Sequence, residues 1–380
     1  MVERIQPAKE STAQEIKTKL DLANTKIDNM QVAVDNTVVN ATYGYELINY
    51  SRSWTPPAGV KRVWVTIVGA SGGGGGGGGG ASGGTGAVSN QSTQMTSGSG
   101  GGSGSSGVHG GSGTVIVRLP VTLTDSNPVV CTIGVAGAGG AGGAGGTGAT
   151  GVTLTTINPY NIPGNKGNVG LVGGAGGAGG VTSFGSYVTI TGGHGGQGGN
   201  PGNPGNRGVI NISGNQPGGT GGALKANVNP DVTVSIGGPT SVTFKVAGGT
   251  ITPLGIMGII RNQVVNGVAG IEGQPAGSYT SSWPVIAGGA ATSNSPAPYY
   301  TLTSSHNPLF SLLEFHKKSM LSYDPYSLTG GTGGYGGAGS AGTAAVVGTS
   351  PRSADSQPGS KGGNGTQGNS GKILIEWGLE

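Results

Sequence analysis

A mainly β fold is predicted for this chain: a β-rich base bearing a bundle of polyglycine/polyproline-II helices, preceded by an N-terminal α-helical coiled coil. Three observations predict it. Glycine falls on every third residue in six separate tracts, β-branched runs separate the tracts, and one heptad-patterned segment stands ahead of them. The strictest tract places Gly98, Gly101, Gly104, Gly107, Gly110 and Gly113 in one phase, and the period returns at 134–146, 164–179, 193–208, 330–342 and 359–371. A polyproline-II-like helix turns once in three residues, so such glycines share one edge. That edge carries no side chain, and a neighbouring backbone can lie against it. A flexible Gly/Ser linker has no use for phase.

Composition narrows the alternatives. Glycine supplies 86 of 380 residues, and all but Gly44 follow residue 50. Collagen needs an unbroken Gly-X-Y register and proline near ~15–20%. Here 21 prolines are scattered and the register is broken. Disorder is opposed by Val63-Trp64-Val65-Thr66-Ile67-Val68 and Thr114-Val115-Ile116-Val117-Arg118-Leu119. Such runs are strand material and aggregate when left unpaired.

Residues 12–41 read as one amphipathic helix, with Ser11/Gln14 or Thr12/Glu15 as a capping box. Ala13, Leu20, Ile27, Val34 and Ala41 take heptad position a, and Ile16, Ala23, Met30 and Thr37 take d. So narrow a seam needs a partner, and self-association through Ile16, Leu20, Ala23, Ile27, Met30 and Val34 is expected, as dimer or trimer. Trp54-Thr55-Pro56-Pro57-Ala58-Gly59 is a turn-rich entry to a strand at 61–68. The unbroken glycines 72–80 and a Ser/Gly stretch to Gly113 follow. Further strands are expected at 114–119, 129–135, 186–191, 231–236, 242–247 and 372–377, the last sharing a sheet with the first. Four regions result: a stem and attachment segment (1–50), a glycine-rich β/polyglycine-II domain (51–249), an insertion (250–328) and closing tracts with a final strand (329–380).

The insertion is short of glycine and rich in rings. Nine of the chain's nineteen Phe, Trp and Tyr lie between Tyr279 and Tyr335. Tyr279, Trp283, Tyr299, Tyr300, Tyr323 and Tyr326 sit beside Gly, Pro and Ser and are candidate receptor contacts. Phe310, Leu313 and Phe315 lie in a helical run and are candidates for burial.

Catalytic chemistry is not expected. His109, His194, His306 and His316 form no metal-binding spacing, and most are read as surface or turn residues. His194 is read as a contact between neighbouring helices. Eight dispersed carboxylates after residue 50 make no acid/base pair. The GxGxxG-like strings lack strand–turn–helix context, and the tracts lack the aspartates of a calcium β-roll. No catalytic, cofactor or metal site is assigned. Cys131 stands alone in Val129-Val130-Cys131-Thr132-Ile133, a buried structural thiol. Net charge is −2 over residues 1–50 and +4 overall, without a basic cluster, which argues against nucleic acid. No apolar leader or ~18-residue apolar span is present, so a soluble chain without membrane insertion is expected.

Several of these motifs, taken in order, resemble glycine-rich domains of bacteriophage tail-fibre proteins. They are Trp54–Val60 with the strand and glycine run after it, Cys131–Gly140, Gly179–Ser186 with Gly192-Gly193-His194-Gly195-Gly196, and Gly371–Trp377. The tracts also look like the polyglycine-II bundle of the receptor-recognising tip adhesins of T-even-like phages. The resemblance implies a virion tail protein, made in the bacterial host cytoplasm, whose bundle-end loops contact a host surface receptor, protein or glycan. It also implies a homotrimer joined to other tail proteins through residues 1–50. A heptad helix stands here in place of the adhesins' fibre-binding domain, and 250–328 has no counterpart. A structural virion fibre without ligand is the alternative. Ice binding is a remoter one, resting on the in-phase Ala138, Ala141, Ala144 and Thr147.

Overall fold

The computed structural model describes residues 14–30, 44–89, 95–155 except 112, 161–210, 216–223, 232–236, 242–246, 251–254, 257–260, 271–275, 336–347 except 345, and 352–378. Its strands are β1 (Gly44–Ile48), β2 (Arg52–Trp54), β3 (Arg62–Val68), β4 (Val88–Ser89), β5 (Val115–Thr122), β6 (Val129–Thr132), β7 (Asn161–Ile162) and β8 (Thr182–Phe184). They continue with β9 (Val188–Ile190), β10 (Val232–Ile236), β11 (Val242–Val246), β12 (Ile251–Leu254), β13 (Met257–Ile260), β14 (Val346–Val347) and β15 (Lys372–Trp377). The chain is mainly β, with an N-terminal helix over 14–30.

Two antiparallel six-stranded sheets form the base, ordered β1-β15-β3-β5-β13-β12 and β11-β10-β9-β8-β6-β2. The early strand β3 and the last strand β15 do share a sheet, with Ile67 opposite Ile373 and Val65 opposite Ile375. Period-2 alternation turns Val63, Val65 and Ile67 of β3 toward one apolar cluster, which also receives Trp54, Cys131, Phe184 and Ile190 from the other sheet. Full burial of each such aliphatic or aromatic side chain contributes ~1.5–3 kcal/mol. β1 lies within the segment read as stem, and β12–β13 lie at the start of the insertion. Both join the first sheet as flanking strands, through β15 and β5. A bulge falls where Thr66 opposes Val117 and Arg118, and Arg118 has φ 52°. Its N–H donates to the Thr66 hydroxyl at 3.1 Å, which holds this left-handed residue in place.

The glycine tracts lie between these sheets and a third, small sheet, β14-β4-β7. They are neither strand nor α-helix, and they are held by bonds from backbone to backbone. Each N–H from Ser71 to Ser82 donates to another tract at 2.8–3.0 Å, and the target rotates with a period of three. Gly72, Gly75 and Gly78 donate to Gly111, Val108 and Ser105; Gly73, Gly76 and Gly79 donate to Gly177, Gly174 and Leu171; Gly74, Gly77 and Gly80 donate to Thr366, Gly363 and Ser360. Three other tracts return the bonds: Gly196 donates to Gly73, Gly140 to Gly74 and Gly337 to Gly78. The 71–87 tract therefore sits inside a ring of six, and neighbours in the ring are also bonded, as Gly173 N–H to Gly199 O and Gly359 N–H to Gly146 O are. Members running with and against the central tract alternate around the ring.

This enclosure explains the nine consecutive glycines. A tract with neighbours on every side has no direction free for a side chain: a Cβ at Gly76 would strike the Ala141 carbonyl, and one at Gly78 the Asn200 carbonyl. Ring members face inward only with part of their circumference, so glycine is needed there in phase and the remaining positions carry side chains. Small hydroxyls accept N–H groups that lie between the direct backbone bonds. Gly83 N–H donates to Ser340 Oγ, which donates on to the Gln357 carbonyl. Asn168 N–H donates to buried Ser82 Oγ at 2.6 Å and Asn200 N–H to Ser105 Oγ at 2.8 Å.

Valine at Gly104 or Gly199, whose Cβ would overlap the Gly78 or Ser105 carbonyl, is expected to lower unfolding free energy by ~3 kcal/mol or more in denaturant titration. Serine at the exposed Ala138 should leave it unchanged. Ser82→Ala strands a buried N–H and should cost about 1–3 kcal/mol.

Candidate functional site

The tracts run back and forth between two ends, which differ in chemistry. At one end is the sandwich, closed by its apolar cluster. At the other, the 71–87 tract runs into β4, which pairs with β7 and β14 through Val88 opposite Ile162 and Val346. Single bridges Met95–Ile210 and Thr153–Arg352 tie neighbouring tracts there. Buried Ala87 and Met95, with Ile210 packed on them, form a small apolar plug. Ser89 Oγ donates to Asn161 Oδ1 at 2.7 Å, and Val209 N–H donates to Thr96 Oγ1 at 2.9 Å. Ser89, Met95, Thr153, Asn161, Ile210, Val347 and Arg352 all take part in the pairings and bridges at this tip. Exposed Lys166, Arg207 and Arg352 lie at its level, while Asp355 accepts the Gly151 N–H at 2.7 Å.

The side of the assembly is built from asparagines at three-residue spacing. Asn200, Asn203 and Asn206 donate through Nδ2 to Ala223 O, Thr220 Oγ1 and Pro217 O, at 3.0, 2.6 and 2.9 Å. Asn165 and Asn168 reach Thr150 O and Thr147 O in the same way. Their primary amides add side-chain bonds between tracts that are also joined backbone to backbone, as Asn203 N–H to Thr220 O and Leu171 N–H to Ala144 O are.

Of the residues singled out from sequence, Tyr279, Trp283, Tyr299, Tyr300, Tyr323 and Tyr326 lie outside the described residues, as do Phe310, Leu313, Phe315 and Val34. Ile16, Leu20, Ala23, Ile27 and Met30 all lie on the 14–30 helix and are exposed, Leu20 at 58% and Met30 at 66%. The tip cations were not singled out, although their phase marks them. Lys166 occupies the outward register of its tract, and so do the valines and alanines that follow it at steps of three.

Among the described residues three ionisable groups are buried, Cys131, Glu376 and His109. Cys131 is fully buried among sandwich residues, and burial pushes its thiol up to about 11. Glu376 lies on the outward face of the first sheet, its carboxylate 3.6 Å from Arg118 Nε. Burial raises its pKa, and the Arg118 guanidinium opposes that rise. His109 is buried, at a level where its tract is bonded to 71–87 through Gly75 N–H to Val108 O and to 193–208 through Val108 N–H to Gln197 O. Burial lowers its pKa. His194 does lie against its neighbour: its ring sets the space beside Gly111, whose N–H donates to the His194 carbonyl. Among the described residues no group of three His, Cys, Asp or Glu is placed to hold a metal ion, and no helix is long and apolar enough to cross a membrane.

No protein-family model matches the chain, and no curated protein matches it in sequence.

The depressed His109 pKa sets a pH dependence. The unfolded chain takes up this proton near the ordinary histidine value while the folded chain resists it, so stability falls as pH drops below about 6.5. Melting temperature should decline between pH 7 and 5, and His109→Gln should flatten that slope. An unchanged slope in the variant would assign the effect to other groups.

Proposed function

We propose that this chain is a bacteriophage tail-fibre or receptor-binding protein that attaches the virion to the host cell surface. The observation that carries the reading is the ring of six tracts about 71–87, with its three-residue hydrogen-bond rotation. Three residues per turn is the period of polyglycine II. On this reading each tract is such a helix and together they form a bundle, a shaft whose rigidity comes from the main chain. A shaft of this kind has little side-chain chemistry with which to recognise anything. Recognition falls to the tip connections and to the aromatic segment 250–328, which can vary without disturbing the shaft. Tyr279, Trp283, Tyr299, Tyr300, Tyr323 and Tyr326 supply stacking surface for sugars or a protein epitope, and Lys166, Arg207 and Arg352 favour an acidic one.

The exposed seam of the 14–30 helix supports a parallel coiled coil over 12–41, which in a tail fibre is a homotrimer. Residues 1–50 then also hold the chain to other tail proteins. The protein acts as an adhesin of the virion, not as an enzyme, and it needs no cofactor.

A second reading is favoured by one observation. Ala138, Ala141, Ala144 and Thr147 are all exposed in a single row, the kind of flat face an ice-binding protein presents. Thermal hysteresis of the purified protein tests it directly.

Purified protein is expected to bind whole cells of a susceptible bacterium and to block phage adsorption, more weakly as salt rises. Trp283→Ala and the Tyr299→Ala/Tyr300→Ala pair should reduce cell binding with oligomeric state and melting temperature unchanged. Protein that is folded and virion-borne yet binds no cells would instead be a structural fibre.

A further inference from the structure

The 134–152 and 164–181 tracts lie side by side. Leu171, Gly174, Gly177 and Gly180 donate their N–H groups to Ala144, Ala141, Ala138 and Val135 at 2.7–2.8 Å. Gly137, Gly140 and Gly143 bond to the 71–87 tract, and Gly173 and Gly176 abut it. Gly139, Gly142 and Gly145 abut the 359–371 tract, and one further phase of each tract is turned outward. One outward row is Val135, Ala138, Ala141 and Ala144; the other is Val181, Ala178, Ala175 and Val172. All are exposed, Val135 at 72% and Val172 at 57%, and Leu171 and Val169 extend the apolar surface at 60% and 50%. No ionisable residue occurs in 135–147 or 169–181. On the far side of the 134–152 tract the surface changes character, to Asp355, Gln357, Lys361 and Asn364, all exposed.

Size and spacing together say what covers this face. At ~3.1 Å per residue it is about 40 Å long, and with two tracts and their side chains roughly 15 Å wide, giving ~600 Å². That is the upper limit of the apolar patch a single chain usually exposes, and near the ~800 Å² each partner gives to a standard interface. The side chains recur every third residue, about 9.3 Å apart, with glycine gaps between them. An α-helix repeats every ~5.4 Å and a strand face every ~6.7 Å, so neither stays in step with the row for more than one or two contacts. A surface of the same pitch stays in step throughout, each side chain entering a glycine gap opposite. The spacing argument rests on the three-residue-helix reading above.

We propose that this face is an interface between two copies of the chain, each presenting the same pair of rows to the other in a two-fold contact. A neutral surface meeting itself meets no like-charge repulsion, and the pitch matches by identity. The contact is separate from the heptad helix and from the attachment function, so it joins chains, or the oligomers they form, along their shafts.

The test uses the full chain with the helix seam disabled by Leu20→Asp and Ile27→Asp, so that association through the face is read alone. This variant should sediment as a dimer at micromolar concentration, and adding Val172→Glu should yield a monomer of unchanged melting temperature. In the unaltered helix background, a short bis-maleimide should link chains carrying Ala141→Cys, midway along the row, and not chains carrying Ala354→Cys on the polar side. Buried Cys131 serves as the internal blank. A monomeric seam variant, an unchanged mass after Val172→Glu, or equal linking at both cysteines would overturn the proposal. So would a monomer whose thermal hysteresis is lost with Val172→Glu, since the face would then belong to ice. Loss of cell binding with the dimer intact would count against the attachment reading and leave this one standing.

Discussion

A hydrogen bond from one main chain to another, with no side chain between them, is what the rest of this structure depends on. Outside a sheet, two backbones approach to 2.8–3.0 Å only if the Cα facing the neighbour carries no Cβ. At Gly104 or Gly199 the added atom would overlap a carbonyl group. Each such bond contributes a net ~0.5–1.5 kcal/mol, and glycine surrenders more backbone entropy on folding than any other residue. The assembly holds because the bonds are many and mutually enclosing: in the 71–87 tract every N–H from Ser71 to Gly86 has a protein acceptor. The apolar cluster is confined to the sandwich, which anchors the ends of the tracts and sets their register.

The polar side chains of the tracts serve the same bond. Serine and threonine hydroxyls accept further N–H groups between tracts already bonded backbone to backbone, and Ser340 and Thr343 relay them to a carbonyl. Asparagine amides at the surface add bonds to a neighbouring tract, as Asn200 and Asn206 do. The outward rows have the opposite effect. A side chain at each of Val135, Ala138, Ala141 and Ala144 prevents another backbone from approaching closely enough to bond, as charges and bulges do at an exposed sheet edge. Lateral growth by added tracts stops there, and contacts on that side are made by side chains.

The division of labour follows. The base is an apolar sandwich, the middle is main-chain bonding, and the far end holds the small sheet β14-β4-β7 and a plug of Ala87, Met95 and Ile210. Among the described residues the buried ionisable groups are Cys131 within the sandwich, Glu376 on the outer face of a sheet and His109 in a covered tract. What the described residues offer is surfaces at fixed separations along a main-chain-bonded axis.

Much of this was legible in the sequence, because the dominant constraint acts on single positions. A glycine every third residue states that an edge must be bare, and the β-branched runs at 62–68, 115–119, 129–132 and 372–377 declare the base strands by composition and alternation. β3 and β15 even paired as their order implied. Short strands such as β1, β8 and β12 were not legible, since three to five residues carry too little pattern until a neighbour supplies the ladder. Nor did period alone tell which tract is central: 71–87 and 96–113 look alike as glycine-rich strings, and only the docking of six neighbours shows why the nine glycines fall in the first. The burial of His109, the tip cations and the paired apolar rows belong to the same class. A residue's phase determines which way it points within its own tract; whether that direction holds solvent or another backbone is decided by tracts a hundred or more residues away.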